Sequence, residues 1–166
     1  GHRIVEKECA DMKSQGVIRD SKSPWSSPVV LATKKNGDVR FCVDYRRLNS
    51  LTVKDSYPLP HIQDTLGALG GGKYFCTMDL ASGFWQIPMA EADKEKTAFA
   101  TRDGLYEFNT MPFGLCNAPA TFERLMETVL RGYNWTICLV YMDDIVAAGS
   151  TVAETVRRLK LVWNRL

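Results

Sequence analysis

The sequence Tyr141-Met142-Asp143-Asp144 lies between two short apolar runs, Ile137–Val140 and Ile145–Ala148. Short runs rich in β-branched and apolar residues are typical of buried strands. The pattern therefore predicts a tight β-hairpin that turns at Met142-Asp143 and carries adjacent carboxylates at its tip. Two neighbouring negative charges repel each other and resist the loss of water. A hard divalent cation is the obvious compensating charge for such a tip.

A third carboxylate, Asp79, closes another predicted strand, over residues 74–80. If that strand is a neighbour of the hairpin in one antiparallel sheet, Asp79 converges with Asp143 and Asp144. Their oxygen ligands suit Mg²⁺ or Mn²⁺. Two such ions can activate an attacking hydroxyl and stabilise a leaving phosphate oxygen. Taken alone, Asp79 is equally well explained as the cap of the turn that follows it.

A second hairpin is predicted at Asn36-Gly37, a strong signal for a two-residue turn. It carries Lys34 and Lys35 near its tip and Arg40 on the return strand. Two interpretations are open: the charges are solvated on an exposed hairpin, or they bind the phosphates of a triphosphate.

Composition indicates a folded protein of one large domain or two small ones. The chain has 166 residues, 45% of them hydrophobic and 24% charged, and a formal net charge of +2. Residues 19–47 hold seven basic and three acidic side chains, so the first third offers a basic surface. The five scattered cysteines are predicted to be buried free thiols in a reducing compartment. The sequence predicts neither a membrane span nor a signal peptide.

Two amphipathic helices flank the predicted Asp143–Asp144 hairpin. The first covers residues 118–131, and its predicted buried stripe consists of Phe122, Leu125, Met126, Val129 and Leu130. The second begins at Thr151, which forms a capping box with Glu154. Its predicted apolar face consists of Val152, Val156, Leu159, Trp163 and Leu166. Further helices are predicted over 2–15, 44–49 and 61–69, which makes the chain α+β.

Six blocks of sequence, in this order, resemble the reverse transcriptase of gypsy-type long-terminal-repeat retrotransposons, which is similar to the retroviral enzyme. The blocks are Trp25–Val30, Arg40–Asn49, Asp79–Ile87, Lys96–Phe99, Met111–Phe122 and Tyr141–Asp144. A single Tyr-x-Asp-Asp would be a weak signal, whereas six ordered blocks over nearly the whole chain are highly specific.

The resemblance implies the fingers and palm of a right-hand polymerase, with a palm built as an antiparallel sheet packed on helices. Residues 1–56 and 90–115 would form the fingers, and residues 57–89 and 116–166 the palm. It further implies RNA-directed DNA polymerase activity, with two Mg²⁺ or Mn²⁺ ions, an RNA or DNA template–primer and deoxynucleoside triphosphates. The remaining implied partners are other parts of a polyprotein, namely thumb, ribonuclease H and integrase, and the implied location is cytoplasmic virus-like particles with access to the nucleus.

The resemblance also implies roles for individual residues. Asp79, Asp143 and Asp144 match the catalytic, metal-binding carboxylates, and the carbonyl of Leu80 would help to hold the metals. The matches to nucleotide-binding positions are Lys35, Arg40, Phe84, Phe113 and Met142, with Phe84 as the aromatic that excludes a 2′-hydroxyl. Tyr141 and Lys34 would lie beside the primer or template.

The chain departs from the family pattern in two ways. Met142 stands where many relatives have leucine, which should not abolish the chemistry because the aspartates carry it. We expect the family's primer grip, thumb, connection and ribonuclease H parts to be absent from this chain, which alone is then expected to be weakly active or inactive, since positioning supplies much of the rate. The alternative function is a catalytically inactive, polymerase-derived module with a nucleic-acid-binding or structural role.

Overall fold

The structure is a computed structural model that describes residues 1–33, 37–58 and 71–166. The chain divides into two compact units, and each is built from two separate segments. Unit 1 consists of Gly1–Lys54 and Phe84–Ala118, and unit 2 consists of Asp55–Gly83 and Pro119–Leu166.

Unit 1 contains a five-stranded mixed sheet in the order β1-β6-β5-β2-β3. The strands are β1 (Ile18–Asp20), β2 (Ser27–Thr33), β3 (Val39–Val43), β5 (Phe99–Ala100) and β6 (Leu105–Phe108). All neighbouring pairs are antiparallel except β2 and β5, which are parallel. The strands of the hairpin predicted at Asn36-Gly37 are confirmed by the antiparallel pairing of β2 with β3, although Asn36 itself lies outside the described residues.

Helices of unit 1 pack around a core that the sheet and the first helix share. They are α1 (His2–Ser14), α2 (Arg46–Leu51) and α3 (Glu91–Lys94). The buried core residues are Cys9, Met12, Val17, Ile18, Val43, Tyr45, Phe99 and Phe108. Helix α2 begins two residues later than predicted, because the carboxylate of Asp44 accepts a hydrogen bond from the backbone N–H of Arg46 and holds Asp44 in the preceding turn.

Unit 2 contains a three-stranded antiparallel sheet in the order β4-β8-β7. Its strands are β4 (Tyr74–Asp79), β7 (Cys138–Tyr141) and β8 (Asp144–Gly149). The predicted hairpin is therefore confirmed, and the strand that ends in Asp79 is its neighbour. One face of the sheet places Ile145 and Val140 in the core, where both side chains are buried.

Two long helices complete unit 2, α4 (Ala118–Val129) and α5 (Val152–Trp163). The stripe predicted for α4 is confirmed at Phe122, Met126 and Leu130, which are buried, but Leu125 is exposed. The prediction that this apolar face of α5 is buried is largely wrong. Val152, Val156, Trp163 and Leu166 are exposed, Leu159 is half-buried, and the buried side chains of α5 are Thr155 and Val162.

Other sequence predictions are confirmed only in part or lie outside the described residues. The capping box is confirmed in part: Thr151 accepts from the N–H of Glu154, while the Glu154 carboxylate reaches back to the N–H of Ser150. All five cysteines are free thiols, but only Cys9 and Cys138 are buried. The predicted helix over 61–69 lies outside the described residues. Among the helices that the structure describes, none is long and apolar enough to cross a membrane.

Candidate active site

The tip of the β7–β8 hairpin is a two-residue turn formed by Met142 and Asp143. Tyr141 pairs directly with Asp144 across the two strands. Met142 has a φ of 55°, so only the first central residue is left-handed, which is the pattern of a type II′ turn. Glycine is the usual residue there, and a methionine backbone in this region costs of order 1–3 kcal/mol. The hairpin therefore holds its carboxylates on a strained turn.

Asp79 lies directly opposite Asp144 at the end of the β4–β8 ladder. The backbone N–H of Leu80 donates to the carbonyl of Asp143 at 3.0 Å, which brings the end of β4 against the turn. Asp79 and Asp144 are exposed and Asp143 is half-buried. Like charges on directly opposed residues destabilise a sheet. This end of the sheet thus concentrates negative charge at a structural cost.

Gly83 allows the chain after β4 to lie very close to the hairpin. Its backbone N–H donates to the carbonyl of Leu80 at 3.1 Å. A Cβ on Gly83 would lie 2.9 Å from the Phe122 ring and 3.4 Å from the Cβ of Asp143. Since real Cβ atoms do not approach an aromatic ring that closely, any other residue here would displace the ring or the turn.

The donor set at this end of the sheet fits a hard divalent cation. The three aspartates offer carboxylate oxygens, and the Leu80 carbonyl, which accepts one hydrogen bond, keeps a second lone pair. Within residues 1–33, 37–58 and 71–166, no three acidic, histidine or cysteine side chains are gathered into a group that could hold a metal as they stand. The backbone thus brings the three aspartates to one end of the sheet, while their side chains remain apart.

Two more of the predicted residues, Phe84 and Phe113, contact each other in unit 1. Their ring centroids are 5.0 Å apart with an interplanar angle of 38°. Arg40 is exposed on β3, opposite Ala32 of β2. Lys34 and Lys35 lie outside the described residues. The structure therefore collects Asp79, Leu80, Tyr141, Met142, Asp143 and Asp144 in unit 2, and it collects Phe84 with Phe113 in unit 1.

Sequence reasoning missed one residue that contacts the turn, Glu123 of α4. Its side chain is completely buried, and its Oε2 accepts a hydrogen bond from the backbone N–H of Met142 at 3.2 Å. Burial raises the pKa of this carboxyl, as does the negative charge of Glu127, while the Met142 N–H bond acts in the opposite direction. Its position next to Phe122 in the apolar stripe was the available signal, because it places a carboxylate near the buried face.

Comparison with known proteins supports the resemblance seen in the sequence. The family model described as "Reverse transcriptase (RNA-dependent DNA polymerase)" matches residues 32–166. The retrovirus-related Pol polyprotein from transposon 297 of Drosophila melanogaster is 45% identical over 99% of this chain. The corresponding polyprotein from transposon gypsy of the same species is 41% identical over 98% of this chain. The chain spans only 16% of the length of each of these two relatives.

Solved structures show the same fold. The protease–reverse transcriptase of prototype foamy virus superposes with a TM-score of 0.85 at 30% identity, over 95% of this chain and 21% of that one. A foamy viral protease–reverse transcriptase in complex with an RNA/DNA hybrid superposes with a TM-score of 0.86 at 27% identity, over 99% of this chain and 22% of that one. These matches confirm the predicted α+β fold of polymerase fingers and palm. The chain belongs to the reverse transcriptase family.

Proposed function

We propose that this chain is the fingers and palm part of an RNA-directed DNA polymerase encoded within a retrotransposon polyprotein. The reaction is nucleotidyl transfer from a deoxynucleoside triphosphate to a primer 3′-hydroxyl on an RNA or DNA template. One observation carries the proposal: Asp79 is paired opposite Asp144, and Asp143 stands at the adjoining turn. Unit 1 corresponds to the fingers and unit 2 to the palm in this assignment.

Asp79, Asp143 and Asp144, with the carbonyl of Leu80, are the residues that would hold two Mg²⁺ ions. When bound, such ions activate the attacking hydroxyl and stabilise charge on the leaving phosphate oxygen. The task of the protein is to keep the carboxylates oriented before the substrate arrives. The paired strands and the Leu80–Asp143 hydrogen bond restrict the backbone of all three aspartates, so metal binding requires their side chains, and not the backbone, to reorient.

Residues of unit 1 are assigned to the incoming nucleotide. Lys35 and Arg40 would neutralise the triphosphate, because ammonium and guanidinium groups form charge-assisted hydrogen bonds with phosphate oxygens. Phe84 and Phe113 form an aromatic pair that contacts the sugar and base, with Phe84 excluding a 2′-hydroxyl. In unit 2, Met142 borders the nucleotide and Tyr141 the primer end.

The template–primer is assigned from the nucleic acids that are bound in solved structures with this fold. A foamy viral protein with this fold was solved with an RNA/DNA hybrid and with double-stranded DNA. The excess of basic residues over 19–47 suits phosphate contacts that do not depend on sequence. Thumb and ribonuclease H, which the resemblance implies, are the proposed partners within the polyprotein.

Primer extension on RNA and DNA templates tests the proposal, using the complete polymerase that contains this chain. Asp143→Asn should lower the extension rate by roughly a thousandfold, since several kcal/mol of charge stabilisation are lost at tenfold per 1.36 kcal/mol. The matched control is Asp11→Asn, the same charge change at an exposed position of α1, which should leave the rate unchanged. If the wild-type protein binds a hybrid yet extends no primer, the chain is a binding module instead of a polymerase.

A further inference from the structure

Glu123 is a buried carboxyl whose local surroundings leave part of it unsatisfied. The residue is 0% exposed, and its Oε2 accepts the Met142 N–H at 3.2 Å. Its Oε1 is buried and has no hydrogen-bond partner among the described residues. Burying a carboxyl with one oxygen unpaired is costly, whereas a leucine or methionine at this position would fit the apolar stripe without that cost.

Among the described residues, the one hydrogen-bond partner of Glu123 is the backbone N–H of Met142, in the strained turn of the hairpin. Met142 is left-handed at φ 55°, and its N–H points towards α4 instead of into the β7–β8 ladder. On the opposite side of the turn, the Asp143 carbonyl accepts from the N–H of Leu80. The turn is thus held from one side by a side chain of α4 and from the other by the backbone after β4.

We propose that Glu123 is a positioning residue that fixes the Met142–Asp143 turn from the core and so sets the direction in which Asp143 and Asp144 project. The inference rests on the proposed polymerase function and extends it to a residue that touches neither metal nor substrate. The Oε2 acceptor, and not the negative charge, is the active feature, because the contact is a hydrogen bond from a backbone N–H.

A purely structural role for Glu123 makes a different prediction. If Glu123 only satisfied a buried N–H, its loss would lower stability and leave the metal dependence of the folded protein unchanged. If Glu123 positions the turn, its loss must lower the affinity of the aspartates for metal. Outer residues that orient metal ligands change metal affinity by about 10–100-fold when they are removed.

Three variants separate these possibilities. Glu123→Gln keeps a carbonyl acceptor of the same length, and Glu123→Leu removes the acceptor while filling a similar volume. Met126→Ala, a buried residue one turn further along α4, supplies a loss of stability without touching the turn. In the 166-residue chain, hydrogen exchange of the Met142 amide should speed up by about tenfold or more in Glu123→Leu only, because its acceptor is gone.

The decisive readout is the Mg²⁺ concentration that gives half-maximal primer extension by the complete polymerase. Glu123→Leu should raise it by about tenfold with an unchanged KM for template–primer, whereas Glu123→Gln and Met126→Ala should stay within about twofold of wild type. An unchanged Mg²⁺ requirement in Glu123→Leu overturns the inference, and so does an equal rise in Glu123→Gln, which would implicate the charge.

Two controls keep the result interpretable. If Glu123→Leu does not fold, Glu123→Asp withdraws the acceptor by one methylene, and the same rise or its absence decides the question. Asp143→Asn separates the two proposals. Activity that survives Asp143→Asn refutes the polymerase assignment, whereas a dead Asp143→Asn beside an unaffected Glu123→Leu refutes only the role of Glu123.

Discussion

Helices α4 and α5 of unit 2 carry similar apolar stripes and bury them to very different extents. In α4, Phe122 is 2% exposed and Met126 is 3% exposed. In α5, Val156 is 43% exposed and Trp163 is 70% exposed, although both belong to its most continuous apolar stripe. An apolar period of 3.6 residues therefore identifies an amphipathic helix but does not by itself say which side of the helix faces the core.

Polar contacts explain why α5 turns a side other than its apolar stripe towards the core. The hydroxyl of Thr155 lies 3.1 Å from the carbonyl of Thr151 in its own helix and 3.3 Å from the carbonyl of Tyr74. Arg158 donates to the carbonyl of Ala148. The carbonyls of Tyr74 and Ala148 lie at the adjoining ends of β4 and β8, where backbone carbonyls need hydrogen-bond donors. Thr155 and Val162 consequently face the core. At about 100° per residue, they are rotated roughly 90° from the stripe of Val152, Val156 and Trp163.

The largest expected contrast between the two helices is in core stability. Phe122→Ala should lower the free energy of unfolding by about 3–5 kcal/mol, because it removes a buried ring and leaves a cavity beside Gly83. Trp163→Ala should change it by less than about 0.5 kcal/mol, since surface substitutions have small effects. Urea denaturation of both variants measures the difference. Equal losses would mean that the apolar stripe of α5 is buried in solution.

A smaller contrast tests the cause of the rotation. Thr155→Val keeps the shape of a buried side chain but removes the hydroxyl that lies 3.3 Å from the Tyr74 carbonyl, so it should cost about 0.5–1.5 kcal/mol, the usual net contribution of one hydrogen bond. The matched control is Thr128→Val on α4, an exposed position whose hydroxyl bonds only to the carbonyl of Arg124 in its own helix. If both variants lose the same small amount of stability, the Thr155–Tyr74 bond does not decide which face of α5 is buried.

The sequence predicted the β7–β8 hairpin better than it predicted the helices. The two apolar runs were sufficient to predict β7 and β8, because a strand that is one residue out of register would bury Asp144 in place of Ile145. The pairing of Asp79 with Asp144 could be stated only as a condition, since local pattern does not say which strands are neighbours. The six motif blocks removed that uncertainty through the family resemblance, not through physics.

Glu123 and the orientation of α5 could not be predicted because both depend on tertiary partners. A glutamate beside Phe122 reads as the polar edge of an amphipathic helix unless the position of the Met142 N–H is known. Thr155 likewise reads as an ordinary polar residue until the carbonyl of Tyr74 lies against it. In both cases a backbone group from a distant element makes a polar side chain more suitable for burial than the apolar ones near it.

The last contrast concerns one glutamate on each helix, because the pKa values of the two shift in opposite directions. Burial raises the pKa of Glu123, so the charged form of this carboxyl stabilises the folded state less than the protonated form does. Stability from this group is fully present below the unfolded pKa and is lost as pH rises through the raised folded pKa. Hydrogen bonds from Ser150 lower the pKa of Glu154. Its contribution is present above the unfolded pKa and is lost as pH falls through the folded pKa.

Thermal unfolding from acid to neutral pH tests both signs at once. Glu123→Gln should be more stable than wild type at neutral pH, with the gain shrinking as pH falls, because the amide never acquires the buried charge. Glu154→Gln should be less stable at neutral pH, with the deficit vanishing in acid, where the wild-type carboxyl is protonated too. A Glu123→Gln variant that is less stable at neutral pH would show that α4 tolerates the buried charge. The distinction between a helix with a buried carboxyl and one with a half-buried capping carboxyl would then fail.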